Sequence, residues 1–460
     1  MPPLLALSIS ALFTLYLLVY DCRTNSDVSK AIWIPLVWMI ISGSRLLSQW
    51  IQWNSNKIMT DVLLRGNPID RIAFTTLILI GVIILLKRDI EWQNIFQYNL
   101  WLTVFLLYCG VTVFWSDYPF VAFKRWIKEL GNVIMVLVVL SDIDAMEAIK
   151  ALNRRFAYFA IPLSIVFNKY FPGLSKTYDG WTGIGHFVGI TTSKNMLGNL
   201  CMVCGLFFIW DLLTINKNGQ FHEQKKQVAI DVGFLIMIAW LFGKADSATA
   251  LGTLVIGTLI LLALNLSFIQ EHIENVGVML FFVFCFAGVL VFTTDILQVF
   301  VSKLGRDMTL TDRTYIWREL LTIKTDPILG VGYESFWLGG RLQKLWSLEY
   351  VRGINEAHNG YLETYLNLGF VGLTLLIFTI ASFYKKICRT LTEHFDLGRY
   401  GMALFVVVLI YNITESAFKG LHLVWFVFLL VGIHVELKNQ LPERQDMPFI
   451  ENANTESPIW

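Results

Sequence analysis

The sequence predicts an all-α fold, a polytopic transmembrane helical bundle of about 12–13 membrane helices that presents one large polar loop. Three observations predict it. Apolar residues make up 55% of the 460 positions and charged residues only 15%, against roughly 25% charged in soluble domains. The mean hydropathy is +0.58. Apolar runs of about 17 to 25 residues recur along the chain, each long enough as a helix to cross a hydrocarbon core of about 30 Å. The formal net charge of +1 gives no global field for nucleic acid, so the lipid bilayer is the expected partner and nucleic acid is not.

In chain order, spans are expected near 4–20, 31–47, 70–86, 95–114, 128–141, 152–169, 195–215, 228–243, 248–268 and 275–295. After the large loop come 359–383, 400–418 and 420–437. The organisation is therefore N-terminal helices over 1–295, which include a loop at 170–193, then a large loop over 296–358. C-terminal helices follow over 359–437, and a polar, Pro-punctuated tail over 438–460 reads as disordered and cytoplasmic. The first segment lacks a basic n-region and an A-x-A site, so no removable signal peptide is expected. Lys385, Lys386, Arg389 and Arg399, and likewise Lys217, Lys225 and Lys226, mark cytoplasmic loops by the positive-inside bias. Counting back places 170–193 and 296–358 on a common outer face, with the N-terminus outside. The outer loops are then basic for their side, which points to an anionic ligand there.

Several shorter features have two readings each. Asp142-Ile143-Asp144 has the form of a metal–nucleotide D-x-D, but Asp144 with Glu147 has the spacing of a helix cap, and the cap reading is preferred. Cys201 and Cys204 form a C-x-x-C inside an apolar run, which favours small buried side chains over a redox or metal pair. Trp115-Ser116-Asp117-Tyr118-Pro119 is a turn ahead of Lys124, Arg125 and Lys128. It reads as an interfacial anchor with snorkelling bases, or as a source of Arg125 for an outer anionic site. The loop 170–193 ends in Thr192-Ser193-Lys194-Asn195. Lys194 at a helix start opposes the helix dipole unless an anion shares the site, as phosphate does at helix N-termini. The alternative is a lysine reaching lipid headgroups. Glu415, at the end of an apolar run, either pairs with an arginine of the large loop or reaches interfacial water.

The large loop concentrates the chemistry. Thr311-Asp312-Arg313-Thr314-Tyr315-Ile316-Trp317 opens an amphipathic helix with Asp312 or Thr311 as cap, and its Arg313 offers a planar fork for phosphate oxygens. Asp326-Pro327-Ile328-Leu329-Gly330-Val331-Gly332-Tyr333 is a Gly-rich turn. The aromatics after it (Tyr333, Phe336, Trp337, Trp346) suit stacking on sugar rings or resting on a membrane surface. His358 sits at the mouth of a helix starting near Asn359. An imidazole there can take a proton from a hydroxyl at neutral pH; a structural role is the alternative. Gly369 and Gly372 share a helix face and would permit close helix packing.

His358-Asn359 followed by Gly369-x-x-Gly372 resembles the most specific motif of the O-antigen ligase and O-antigen/exopolysaccharide polymerase superfamily. Thr311-Asp312-Arg313-Thr314-x-Ile316-Trp317 is similar to its T-G-R-T-x-I-W, with Asp312 in place of Gly. Pro327-Ile328-Leu329-Gly330-x-Gly332 is similar to its P-x-L-G-x-G, and Lys194 stands where many members carry an arginine. The resemblance covers about 130–440, with the ligase-like region about 190–380. The Trp-rich surroundings of Trp115, Trp181 and Trp337 incline it to the exopolysaccharide branch. It implies a C-type (GT-C) membrane glycosyltransferase fold and a metal-independent enzyme without cofactor in a bacterial inner membrane, active loops facing the periplasm. The donor would be an undecaprenyl-diphosphate-linked glycan and the acceptor a glycan or lipid-linked glycan. A polysaccharide chain-length regulator and a flippase would be partner proteins.

Carried onto matching positions, the resemblance makes His358 the base for the acceptor hydroxyl. Arg313, with Lys194 and Arg125, would neutralise the leaving diphosphate. Asn359, Asn195, Glu356, Tyr333, Glu415, Gly369 and Gly372 would support them. The expected function is polymerisation of carrier-linked repeat units into exopolysaccharide or O-antigen. The rivals are ligation of glycan to lipid A–core and, from another class, transport of a lipid-linked glycan. Transporters gather polar groups at the bilayer midplane, often in repeated halves, whereas here charge gathers in one loop.

Overall fold

The computed structural model describes residues 1–51, 66–178, 183–220, 222–280, 282, 313–348 and 351–435. The principal helices of the first half are α1 (Pro3–Thr24), α2 (Trp33–Gly43), α3 (Pro68–Leu86), α4 (Trp92–Tyr98), α5 (Leu100–Val111), α6 (Pro119–Leu140) and α7 (Ala145–Tyr170). A small antiparallel hairpin, β1 (Lys176–Tyr178) with β2 (Gly185–Phe187), interrupts the all-α pattern. Then follow α8 (Lys194–Lys217), α9 (Lys225–Ala245), α10 (Ala248–Ala263), α11 (Arg313–Thr322), α12 (Gly339–Trp346), α13 (Gly360–Glu393), α14 (Phe395–Thr414) and α15 (Leu423–Gly432). The caps expected for Asp312 or Thr311, most of the span 275–295, Trp181 and the tail over 438–460 lie outside the described residues.

Among the described residues, α1, α3, α8, α9, α13 and α14 are long and apolar enough to cross a membrane, and α4 with the helix after it makes a seventh if counted as one bent span. The expected span 95–114 is thus broken, with an 88° bend at Asn99. The Asn99 amide donates to the carbonyls of Ile95 and His434 (2.8 and 2.9 Å), and its oxygen accepts from Lys386 at 2.7 Å. Length and composition alone qualify fewer helices than the expected 12–13, for physical reasons. The helix holding 128–141 starts earlier, at Pro119, and carries Lys124, Arg125, Lys128 and Glu129. Helix α7 likewise carries Arg154 and Arg155, and α2, α10 and α15 are short. The basic stretch 384–399, expected as a loop, is mostly helix, because α13 runs on to Glu393 and α14 begins at Phe395.

Helix starts follow side-chain chemistry. Asn67 accepts from the Ile69 N–H ahead of Pro68 at the start of α3, Ser193 caps α8, and Asn359 caps α13. Asp144 accepts from the Glu147 N–H at 3.0 Å, while Asp142 pairs with Arg88 at 3.0 Å. The D-x-D is therefore a cap and a strut. Helices α14 and α15 form the centre, buried along most of their length, with Tyr400 stacked on Trp210 at 4.5 Å. Helices α1 and α3 keep most of their apolar surface outward, as lipid-facing helices do. Cys201 and Cys204 are buried free thiols.

At one end of the bundle, Arg154 bridges Asp21 and Asp211 (3.2 and 2.6 Å), and Arg155 donates to Asp21 at 2.6 Å. The opposite end gathers the starts of α6, α8, α13 and α15, the end of α14, and the segment 313–358. The two loops expected on a common face, 170–193 and 296–358, thus meet at the same end through their described parts.

Candidate active site

The site is built on the strand of chain that enters α13. His358 takes a left-handed conformation, φ +49°, which is uncommon for a non-glycine residue and clusters at functional positions. Its neighbours hold it there. Asn359 accepts from the Leu362 N–H (2.9 Å), donates through its amide to Ile413 O (3.0 Å), and sends its backbone N–H to Ser416 Oγ (3.0 Å). On the other side, the Trp317 indole of α11 donates to Ala357 O at 2.9 Å.

Glu415, just past α14, is where distant elements converge. Arg313, the first residue of α11, forms an ion pair with it through Nη2. Asn195, from the first turn of α8, donates to the same oxygen, Oε1, at 2.8 Å. His358 Nδ1 lies 3.4 Å from the other oxygen and 3.4 Å from Glu356 Oε1. Of the two readings of Glu415, the arginine pair is the one found. Glu356 is in turn held by Lys419. Residues 195, 313, 356, 358, 415 and 419 thus form one connected polar chain, and His358 keeps about a quarter of its side chain exposed.

The protonation pattern follows from these contacts. Burial alone would lower the His358 imidazole, but the Glu415 hydrogen bond and the Glu356 charge outweigh it and raise it above 6.5. Burial would raise Glu356, yet Lys419 and then His358 hold it down to about 2. His422, buried close to Lys419, drops to about 3 and stays neutral. Its Nδ1 accepts from the Val424 N–H at 3.2 Å and caps α15.

The remaining expected residues are placed as follows. Lys194 begins α8 beside Asn195, but its ammonium points to Asp246 (3.7 Å) and His186 (3.5 Å). Arg125 donates to Glu334 O and lies 3.9 Å from the Glu334 carboxylate, so it faces the large loop and not Arg313. The turn before it docks there too, with Ser116 Oγ 2.8 Å from Ser335 Oγ and Asp117 2.5 Å from Arg341. The turn's polar side chains thus pair with the large loop, while Phe114 and Phe120 stay exposed. Tyr333 is buried and turned towards Glu129 at 3.4 Å.

Gly369 and Gly372 act differently from expectation. Gly369 has φ +64° and breaks α13. The turn 327–332 lies in that break. Phe370 N donates to Pro327 O (2.9 Å), Val371 N to Ile328 O (3.1 Å), and Val331 and Gly332 donate to Asn367 O (3.0 and 2.9 Å). A Cβ on Gly369 would strike Ile328 O, and one on Gly330 would strike Asn367 O. Gly372 is buried just past the break, and a Cβ there would meet Leu368 of the preceding turn. The glycines thus dock loop backbone into a helix break and do not serve helix–helix packing. The aromatics of the loop are also mostly inward. Phe336, Trp337, Leu342 and Leu345 form a small core of their own, with Trp346 packed against it.

Residue-by-residue reading missed Lys419, Glu363 and Glu129. Glu363, inside α13, accepts from the Trp337 indole (2.8 Å), Ala357 N (2.8 Å) and Asn367 (3.0 Å), and so fixes the segment before His358. Glu129 accepts from Trp425 (2.5 Å) and Asn132 (3.1 Å). An acidic residue inside an apolar span was the available signal for both. Among the described residues, Glu356, His358 and Glu415 are the one trio with metal-ligand spacing. Both carboxylates, however, are already neutralised by Lys419 and Arg313, so the donor set fits a cation poorly.

The fold and this site together describe a multi-pass helical membrane protein with a histidine, arginine and carboxylate centre at one end of the bundle. Residues 228–377 match the family described as O-Antigen ligase, a stretch that contains Arg313, His358, Asn359, Gly369 and Gly372. The chain is also similar to "Exopolysaccharide production protein ExoQ" of Rhizobium meliloti (strain 1021). The two are 27% identical over 328 residues, covering 67% of this chain and 69% of that protein. These matches support the superfamily indicated by the motifs, O-antigen ligase and exopolysaccharide polymerase-like proteins, and with it a membrane enzyme of polysaccharide or O-antigen assembly.

Proposed function

We propose that the protein is a glycosyltransferase that polymerises undecaprenyl-diphosphate-linked repeat units at the outer face of a bacterial inner membrane. The observation that supports this most is the meeting of His358, Arg313 and Asn195 on Glu415, from segments up to 220 residues apart. His358 Nδ1 is held between Glu415 and Glu356, which leaves Nε2 to take the proton of an acceptor hydroxyl as it attacks the anomeric carbon. The resulting imidazolium lies between two carboxylates and is stabilised where it forms. Arg313 supplies charge to the departing diphosphate, whose negative charge grows in the transition state. Lys194, one residue from Asn195, adds to the same end of the site. Arg125 belongs to a neighbouring cavity and is dropped from the diphosphate set. Polymerising partners such as a chain-length regulator and a flippase fit this reading as neighbours in the membrane.

The pairing of Glu356 with Lys419 and of Glu415 with Arg313 favours transfer without a metal. Purified protein given an undecaprenyl-diphosphate oligosaccharide in the presence of EDTA tests this. Elongated carrier-linked glycan is the expected product, and loss of transfer restored by a divalent cation would overturn it. The family description favours a second reading, ligation of carrier-linked glycan to a lipid A–core acceptor. A deletion strain separates them: single-repeat carrier lipid accumulates if the enzyme polymerises, whereas long unattached polymer accumulates if it ligates.

A further inference from the structure

A cavity of about 240 Å³ lies beside the His358 cluster, lined in part by Arg125, Lys128, Glu334, Trp337, Glu363 and Lys419. That is many times the roughly 10–15 Å³ that one water needs, and it suits a sugar-sized group. Three of these side chains are cationic and two are carboxylates. The carboxylates are occupied. Glu334 accepts from Gly420 N at 2.9 Å and lies against Arg125, and Glu363 accepts from Trp337, Ala357 and Asn367. Lys419 is held by Glu356. Lys128 differs. Among the described residues it has no hydrogen-bond acceptor, and its ammonium lies 5.1 Å from the centre of the Phe74 ring. A ring face offers a cation modest attraction, much less than a charged acceptor gives.

We propose that this cavity is a second oxyanion subsite, which takes the carboxylate of an acidic sugar in the acceptor glycan, with Lys128 as its main counter-charge. The assignment rests on the glycosyltransferase reading. The cavity reaches His358 through Lys419 and Glu356, a different carboxylate from the one that holds Arg313. An acidic sugar held there would meet cations other than Arg313, which serves the donor diphosphate. Two carboxylates in the lining oppose a multiply charged phosphate more strongly than a singly charged uronate. The Trp337 indole lines the same space, with its N–H committed to Glu363.

The test is binding of cellobiouronic acid, cellobiose and inorganic pyrophosphate to the full-length protein in lipid nanodiscs, read by titration calorimetry. The uronate should bind at least about tenfold more tightly than cellobiose, the scale of one charge-assisted contact. Lys128→Gln should lose about that factor and Lys128→Arg should retain most of it, both with unchanged unfolding temperature. Equal affinity for uronate and cellobiose, or an unaffected Lys128→Gln, overturns the subsite. Displacement of the uronate by stoichiometric pyrophosphate also overturns it, because the anion would then be phosphate. Binding is measured in His358→Ala as well. Uronate binding should persist in that variant, and Lys128-dependent binding in a wild-type protein that transfers no glycan would sink the enzyme reading and leave the subsite standing.

Discussion

Both ends of the bundle bury arginine–carboxylate contacts, and the two clusters are built for different ends. At one, Arg154 and Arg155 share Asp21 and Asp211, with side chains only 1–7% exposed. This set ties α1, α7 and α8 together and contains no histidine. At the other, Arg313 and Lys419 neutralise Glu415 and Glu356, but His358 stands between them, 24% exposed, beside an open cavity. Ion pairing alone therefore does not mark a site. What distinguishes the second cluster is a titratable group in a strained backbone conformation, access from outside, and partners drawn from four separate segments.

Substitutions can break or sharpen this contrast. The largest effect expected is on His358→Ala in a growing strain: polymer falls by about 10²–10⁴, the usual contribution of a general base, at normal protein levels. Next, Arg154→Ala strands the buried Asp211, while Asp21 keeps Arg155, and should destabilise the fold by about 3–5 kcal/mol. This is read as a lower unfolding temperature and lower abundance, with the specific rate of surviving protein unchanged. Glu415→Gln removes the strongest contribution that raises His358. A base works only when unprotonated, so the wild-type kcat/KM should fall with acid through a midpoint above 6.5. In Glu415→Gln that midpoint should move lower, with a rate loss of about tenfold or more. An unmoved midpoint would separate Glu415 from His358. The smallest effect belongs to Asn359→Ala, which loses a helix cap worth about 1 kcal/mol and should lower the unfolding temperature slightly.

Much of this was legible in residues taken one at a time, and the remainder was not, for a definable reason. Periodic apolar runs located most helices, Asp144 and Lys194 marked starts, and His358-Asn359 marked the mouth of α13. Arg313 and Glu415 were visible as misplaced charges in search of partners. The sequence could not pair them, because 102 residues separate the two and only the packing of α11 against the end of α14 joins them. Arg125 and Lys194 carried the same signal, yet Glu334 and Asp246 lie nearer to each. Gly369 was read by spacing as a packing residue, since φ +64° inside an apolar helix leaves no trace in hydropathy. The loop aromatics turned inward because the loop has enough apolar side chains for a core of its own.

The most direct measurement is the initial rate at which purified wild type and His358→Ala elongate an undecaprenyl-diphosphate oligosaccharide, at matched concentrations of folded protein. A loss of at least about a hundredfold with an unchanged unfolding temperature is the predicted result. A variant that transfers glycan at close to the wild-type rate would contradict the account.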